Sequence, residues 1–267
     1  MRYFMFLLTL VLVLPACTDD PAPVTTSGTE LFADQQYYPD REGFWWEYQL
    51  DSASVKDVAR VRSRIIGSRV VDSLTYSVQV NEDRRGGQVT TDTQYIRKTG
   101  VGIMMSSPGL RDLGAFPVIP GGPGVEIPKE FLIIPFNPGF QATWDIVTIE
   151  FNQIPIFPIY FRVKGRYIGT GDVATQRGTL KNVARITVSI EARLPNLQNP
   201  TDFLNPLILN EKADFYFTRP YGLALIDGSE AVFTLLRGGL PLASSFPKLR
   251  QELVDMNIVQ PQPVCSW

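Results

Sequence analysis

From residue 44 onward the chain alternates apolar and polar side chains with a period of two, the pattern of strands that bury one face. Phe44, Trp46, Tyr48 and Leu50 share one face of the first run, opposite Trp45, Glu47 and Gln49. Between Asp57 and Ile66, Ala59, Val61 and Ile65 face one way and Arg60, Arg62 and Arg64 the other. Leu74, Tyr76, Val78 and Val80 read as the core face of a third strand, followed by a turn at Arg84-Arg85-Gly86-Gly87 and by runs at Thr93 to Lys98 and Val101 to Met105. The second half repeats the pattern in longer runs, at Gln141 to Phe151, Ile159 to Ile168 and Leu180 to Leu194. The last would extend roughly 50 Å at about 3.3 Å per residue, a length that belongs to a strongly twisted or curled sheet. Asp214 to Arg219, Gly222 to Ile226 and Ala231 to Leu236 complete the meander, with Asp227-Gly228 as the hairpin turn between the last two. Only Lys248 to Ile258 reads as a helix, because Leu249, Leu253 and Met256 recur at spacings of four and three. The predicted fold is mainly β: a long curled antiparallel sheet, a half-barrel or open barrel, with Pro-rich capping loops and a short C-terminal helix.

The connections add a second pattern. Nine of the 21 prolines lie between Pro108 and Pro158, so regular structure is interrupted there. Residues 106–128 form a Pro/Gly-rich connection, and loops beyond about 12 to 15 residues are uncommon in compact domains unless they are functional or disordered. This one carries Leu110, Leu113, Phe116, Val118, Ile119, Val125 and Ile127, more apolar surface than a disordered linker holds. It is expected to cap the ends of the sheet or to pack over something apolar. Residues 154–159 and 194–209 have the same character.

At the N-terminus Arg2 precedes an apolar run from Tyr3 to Leu14, too short to cross a bilayer as a helix, which marks a cleaved secretory leader. Leu14-Pro15-Ala16-Cys17 resembles the lipobox of bacterial lipoproteins, which implies lipidation of Cys17 as the new N-terminus. Thr18-Asp19-Asp20 reads either as a surface-export signal or as the start of a solvated tether. The expected organisation is a signal peptide at 1–16, a lipidated flexible tether at 17–36 and a single β-rich domain at 37–267.

Composition narrows the chemistry. The chain has no histidine, so histidine-based triads and Cys/His zinc sites are excluded. With Cys17 assigned to lipid, Cys265 alone cannot close an internal disulfide. Phosphate-loop, dinucleotide, nucleophile-elbow and EF-hand strings are absent. No metal and no cofactor are expected. A formal charge of −2 for the whole chain gives no reason to expect nucleic acid as a partner. Asp145 and Glu150, an odd five residues apart, are expected on opposite strand faces, and Glu82 and Asp83 in a solvated turn, so no carboxylate pair for hydrolysis is anticipated. The cationic rows Arg60, Arg62, Arg64 and Arg162, Lys164, Arg166 either form a basic stripe for a glycan or headgroup or keep the outer sheet face soluble.

Aromatic residues are the better guide to function. Trp46, Phe116, Phe131, Phe136, Trp144, Phe157 and Phe161 are the candidate lining of an apolar ligand cavity, and the same residues would equally supply a packed core. Four stretches occur in an order similar to that of uncharacterised bacterial outer-membrane lipoproteins: Gly43-Phe44-Trp45-Trp46-Glu47-Tyr48, Tyr95-Ile96-Arg97 before Gly100-Val101, Phe136 to Trp144, and Phe215 to Leu223. That layout in turn resembles half-barrel carriers of the LolA type. The resemblance implies a non-enzymatic module, lipid-anchored at the outer membrane on its periplasmic or cell-surface side, that binds lipid or another apolar ligand. The alternative is a surface-exposed module that binds glycan or protein over a fully packed core.

Overall fold

The computed structural model describes residues 38–52, 59–106, 128–151, 159–194, 206–219, 221–237, 243 and 245–258. The leader, Cys17, the tether, most of the 106–128 connection and Cys265 lie outside the described residues. Among the described residues twelve strands form one antiparallel sheet: β1 (Trp45–Ser52), β2 (Ala59–Val71), β3 (Leu74–Arg85), β4 (Gln88–Lys98), β5 (Gly102–Ser106), β6 (Phe131–Pro135), β7 (Thr143–Phe151), β8 (Ile159–Thr175), β9 (Gly178–Leu194), β10 (Leu207–Thr218), β11 (Gly222–Ser229) and β12 (Lys248–Asn257). One helix, α1 (Glu230–Leu236), follows β11.

The strand order is β6-β5-β4-β3-β2-β1-β12-β11-β10-β9-β8-β7. Each strand pairs with its neighbours in sequence except β6 and β7, and the first and last strands pair with each other, so the chain folds as two up-and-down meanders joined at β1 and β12. The edges β6 and β7 approach without a ladder, and the Trp144 indole Nε1 spans them by donating to the Leu132 carbonyl at 3.1 Å. The curled sheet is therefore a nearly closed barrel. Its inner faces and α1 supply one continuous apolar core that includes Leu50, Val61, Phe161, Ile190 and Leu249.

β1 and β2 follow the alternation, with Trp46, Tyr48, Leu50, Ala59, Val61 and Ile65 buried and Arg60 and Arg64 exposed. Four expectations are corrected. Lys248–Asn257 is a strand and not a helix. Lying between β1 and β11, it completes hydrogen bonds on both sides of a sheet centre, and that demand outweighs the helical spacing of its leucines. Conversely Glu230–Leu236 is a helix and not a strand. Ser229 caps it by accepting from the Ala231 amide at 3.2 Å, and Ala231, Val232 and Phe233 are buried consecutively, which a half-wet strand cannot do.

Asp227-Gly228 is not a turn, because β11 runs on to Ser229. A Cβ at Gly228 would sit 2.3 Å from the Ala213 Cα, so glycine permits the close approach of β10. Finally, Asp145 and Glu150 both occupy the exposed face of β7, since a bulge between Asp145 and Val147 resets the alternation.

The two sets of six strands share a plan. Arg60-Val61-Arg62-Ser63-Arg64-Ile65-Ile66-Gly67 on β2 matches Arg162-Val163-Lys164-Gly165-Arg166-Tyr167-Ile168-Gly169 on β8. Each stretch reaches a register shift at a glycine with positive φ, 139° at Gly67 and 125° at Gly169. Trp46 lies opposite Ser63, and Trp144 lies opposite Gly165. The Phe44 carbonyl accepts from the Ile65 amide and the Ala142 carbonyl from the Tyr167 amide, both at 2.9 Å.

In the second half the long β8–β9 hairpin continues past the end of β10 pairing at Ala184. Its tip meets β12: the Gln176 amide donates to Glu252, and Arg250 donates to the Ala174 carbonyl at 3.0 Å. Glu252, on the outer side of the sheet, is consequently only 2 % exposed.

Candidate functional site

A cavity of about 130 Å³ lies inside the barrel. Trp46 and Tyr48 of β1, Ile96 of β4, Ile103 and Met105 of β5, and Ile134 of β6 contribute apolar wall from the first half. Phe215, Phe217, Leu223 and Ile226 contribute it from β10 and β11, and Phe233 and Leu236 of α1 close one side. Two aromatic anchors tie β1 to the start of β11 and the residue before it. The Trp46 indole donates to the Tyr221 carbonyl at 2.7 Å, and the Tyr48 hydroxyl donates to the Leu223 carbonyl at 3.1 Å.

The wall made by β2, β3 and β4 is polar. Reading β3 by alternation places Val78 and Val80 in the core, but the register sets Gln79 opposite Ile65, Asn81 opposite Ser63 and Asp83 opposite Val61, so the polar residues face the lumen. Tyr76 takes the other face, where it is 1 % exposed and packs edge-on against Tyr95 with ring centroids 6.2 Å apart. The inward polar groups are tolerated because they satisfy one another. Ser63 donates to Asn81 Oδ1 at 2.6 Å, Gln79 Nε2 donates to the same oxygen at 2.8 Å, and Asn81 Nδ2 donates to Asp92 at 2.9 Å. The Tyr38 hydroxyl donates to Gln79, and Gln94 Nε2 donates to the Leu236 carbonyl at 2.7 Å, fastening α1 to β4.

Burial holds the Tyr38 phenol well above its ordinary pKa, reinforced by Asp40 and opposed by the Gln79 hydrogen bond. Burial and the neighbouring Tyr38 do the same for Tyr48. Both hydroxyls are therefore hydrogen-bond donors across the physiological pH range.

On the far side of α1 a second, polar pocket of about 430 Å³ is bordered by Asp83, Arg85, Thr90, Asp92, Glu230 and Arg237. Asp83 does not lie in a solvated turn as expected. It is 6 % exposed, receives Arg85 at 2.9 Å and is also paired with Arg237. Arg85 bonds Glu230 at 2.5 Å, so an ion network locks the helix start to β3. Burial raises the Asp92 pKa, against the pull of the Asn81 hydrogen bond and the Arg237 charge. No group of three or more potential metal ligands occurs among the described residues.

Of the residues named from sequence, Trp46 lies on the cavity wall. Phe131 and Phe161 are buried in the core, Phe136 packs on its margin and Trp144 bridges the barrel seam. Phe116 and Phe157 fall outside the described residues. Reasoning from aromatic content missed Ser63, Gln79, Asn81, Gln94 and Gln251, which share the cavity with Trp46. The internal repeat is the signal that points to several of them, since their counterparts in the second half are apolar. The outward cations are engaged locally: Arg62 stacks on Trp45 at 4.5 Å, Arg64 pairs with Glu82 at 2.8 Å, and Arg162 lies over Tyr160 at 4.7 Å.

No protein-family model matches the sequence, and no curated protein matches it. Two solved structures are similar over 83 % of this chain at 11 % identity. One is a candidate lipoprotein from Parabacteroides distasonis, covered over 98 % of its length with a TM-score of 0.46. The other is a candidate exported protein from Bacteroides fragilis, described as having a YmcC-like fold, covered over 99 % with a TM-score of 0.44.

Proposed function

We propose that this chain is an exported, lipid-anchored, non-enzymatic binding module whose barrel lumen takes an apolar ligand. The observation that carries the reading is the cavity in the lumen, walled by apolar side chains of both halves and of α1. Export and anchoring rest on the leader and on Leu14-Pro15-Ala16-Cys17. Apart from Arg237, which is paired with Asp83, the described lumen wall presents amides, hydroxyls and hydrocarbon, which bind more readily than they react. Its volume limits the occupant. About 130 Å³ is close to the ~150 Å³ of an apolar cavity that accepts benzene, and below the ~300 to 1,000 Å³ of drug-sized sites. The occupant is therefore one ring, or a short segment of a single chain, and not a whole diacyl lipid.

Native mass spectrometry of the full-length protein, purified from membranes in detergent, tests this. The wild type is expected to retain a small apolar molecule, or to take up toluene when it is supplied. Ile103→Phe, which projects extra volume into the lumen, is expected to lose that uptake while remaining folded. Wild type that takes up no apolar molecule under any of these conditions would refute lumen binding.

A further inference from the structure

We propose that the lumen contains a polar subsite, centred on Gln251, for the uncharged hydrogen-bonding head of its ligand. The ligand class is then a small amphiphile: an apolar ring or short chain bearing an amide or a hydroxyl. This rests on the lumen being the binding site and adds the chemistry that selects the occupant.

The first support is an orphaned amide. Gln251 is 5 % exposed and borders the cavity, yet among the described residues its side chain has no hydrogen-bond partner. Its cross-strand neighbours are Leu50 on β1 and Ile226 on β11, neither of which can satisfy it. Among the described residues the sealed side-chain atoms without a partner are Arg62 Nε and Arg185 Nε, so the Gln251 amide is not sealed off, and it offers two donors and one acceptor to whatever enters.

The second support is that the fold does not require a polar lumen. The row Ile65, Gln79, Gln94 on β2, β3 and β4 corresponds to Tyr167, Ile186, Phe215 on β8, β9 and β10. The row Ser63, Asn81, Asp92 corresponds to Gly165, Val188, Ala213. One strand plan thus accepts an apolar inner wall in the second half and carries amides in the first, where the wall borders the cavity.

The third support concerns charge. Among the described residues Arg237 is the one formally charged side chain on the cavity lining, and Asp83 already neutralises it. An anionic or cationic head would leave water for a site with no free counter-charge. An amide or hydroxyl loses less and gains Gln251, with the Ser63–Gln79–Gln94 wall bordering the same space.

Three probes that share one ring test the assignment on the full-length protein by titration calorimetry: toluene, and the isosteres benzamide and benzoate. Wild type is expected to bind benzamide at least about tenfold more tightly than either of the others, since a site built for hydrogen bonding rejects analogues that lack the partner. Gln251→Leu is expected to bring benzamide down to the level of toluene while toluene binds unchanged or better. Equal binding of toluene and benzamide by wild type overturns the subsite and leaves the apolar lumen standing. A preference for benzoate overturns the uncharged head. A benzamide preference that survives Gln251→Leu overturns the role of Gln251. Binding of none of the three refutes the lumen as a site, and the subsite with it. Should Gln251→Leu not fold, Gln251→Met, which keeps the side-chain length and removes the amide, makes the same comparison with the same expected and overturning outcomes.

Discussion

Ser63, Asn81 and Asp92 form a hydrogen-bonded row across β2, β3 and β4, whereas Gly165, Val188 and Ala213 fill the matching row across β8, β9 and β10. Across these rows the backbone plan is shared down to the glycine bulges, so the difference between the rows lies in their side chains. In the second half Ile186, Val188 and Ile190 are packed into the core, and β8 and β9 give no residue to the cavity lining. In the first half the corresponding Gln79 and Asn81 lie on that lining. Strand geometry therefore does not dictate what an inner wall is made of. An apolar wall is stabilised by burial and close packing. A polar wall persists only where each group finds a partner, and a partly satisfied one is unstable to single changes.

The largest expected asymmetry is at Phe215 and Gln94, which occupy matching positions. Phe215→Ala is expected to cost about 3 to 5 kcal/mol, the usual range for removing a buried aromatic ring. Gln94→Ala is expected to cost only about 0.5 to 1.5 kcal/mol, the net value of its hydrogen bond to the Leu236 carbonyl. Urea unfolding of both variants measures the pair, and equal losses would show that the two walls are not energetically distinct.

Next comes the polar row itself. Asn81→Val leaves Ser63 and Asp92 without their shared partner and is expected to cost about 1 to 3 kcal/mol. The triple change Ser63→Ala, Asn81→Val, Asp92→Ala, which imitates the apolar row, should recover at least half of that loss. Additive damage in the triple variant would break the correspondence between the halves.

A smaller effect depends on pH. Burial raises the Asp92 pKa, so the folded chain binds that proton more readily than the unfolded chain does. The ionised carboxylate therefore lowers stability at neutral pH, and this penalty fades as pH falls through the raised folded value towards the ordinary one near about pH 4. Asp92→Asn should unfold at a higher urea midpoint than wild type at pH 7, with the gap closing on acidification. A gap that is absent or grows in acid contradicts this sign.

The smallest effect tests where the halves agree. Arg60 and Arg162 match in sequence and are both ion-paired on the outer face, Arg60 with Glu47 at 2.6 Å and Arg162 with Glu150. Replacing either with alanine should change stability by about 0 to 1 kcal/mol, as for other exposed pairs. A much larger loss at one of them would mean that its outer face is covered by something in solution.

Much of the fold was legible because each strand of β1 and β2 separates its apolar and charged residues onto opposite faces. The candidate site was less so. Trp46 is recognisable as a large apolar side chain on an inward face, but Gln79, Asn81, Gln94 and Gln251 look like the wet side of their strands. On β3 that resemblance inverted the reading, and on β12 the leucine spacing imitated a helix. At Glu230–Leu236 consecutive apolar residues imitated a buried strand, until the Ser229 cap and the surrounding core are taken together.

By itself, then, the sequence determined that the chain is a β meander, because two-residue periodicity is a property of each strand alone. It also excluded histidine chemistry, because composition needs no fold. Tertiary structure decided which face of β3 meets the lumen, where the helix Glu230–Leu236 lies, and that Lys248–Asn257 is a strand beside β1. Those outcomes depend on register across strands and on whether a buried polar group finds a partner far away in sequence. Ser63 and Asn81 are 18 residues apart, and Gln94 and Leu236 are 142 apart, so no local window of the sequence contains either pair.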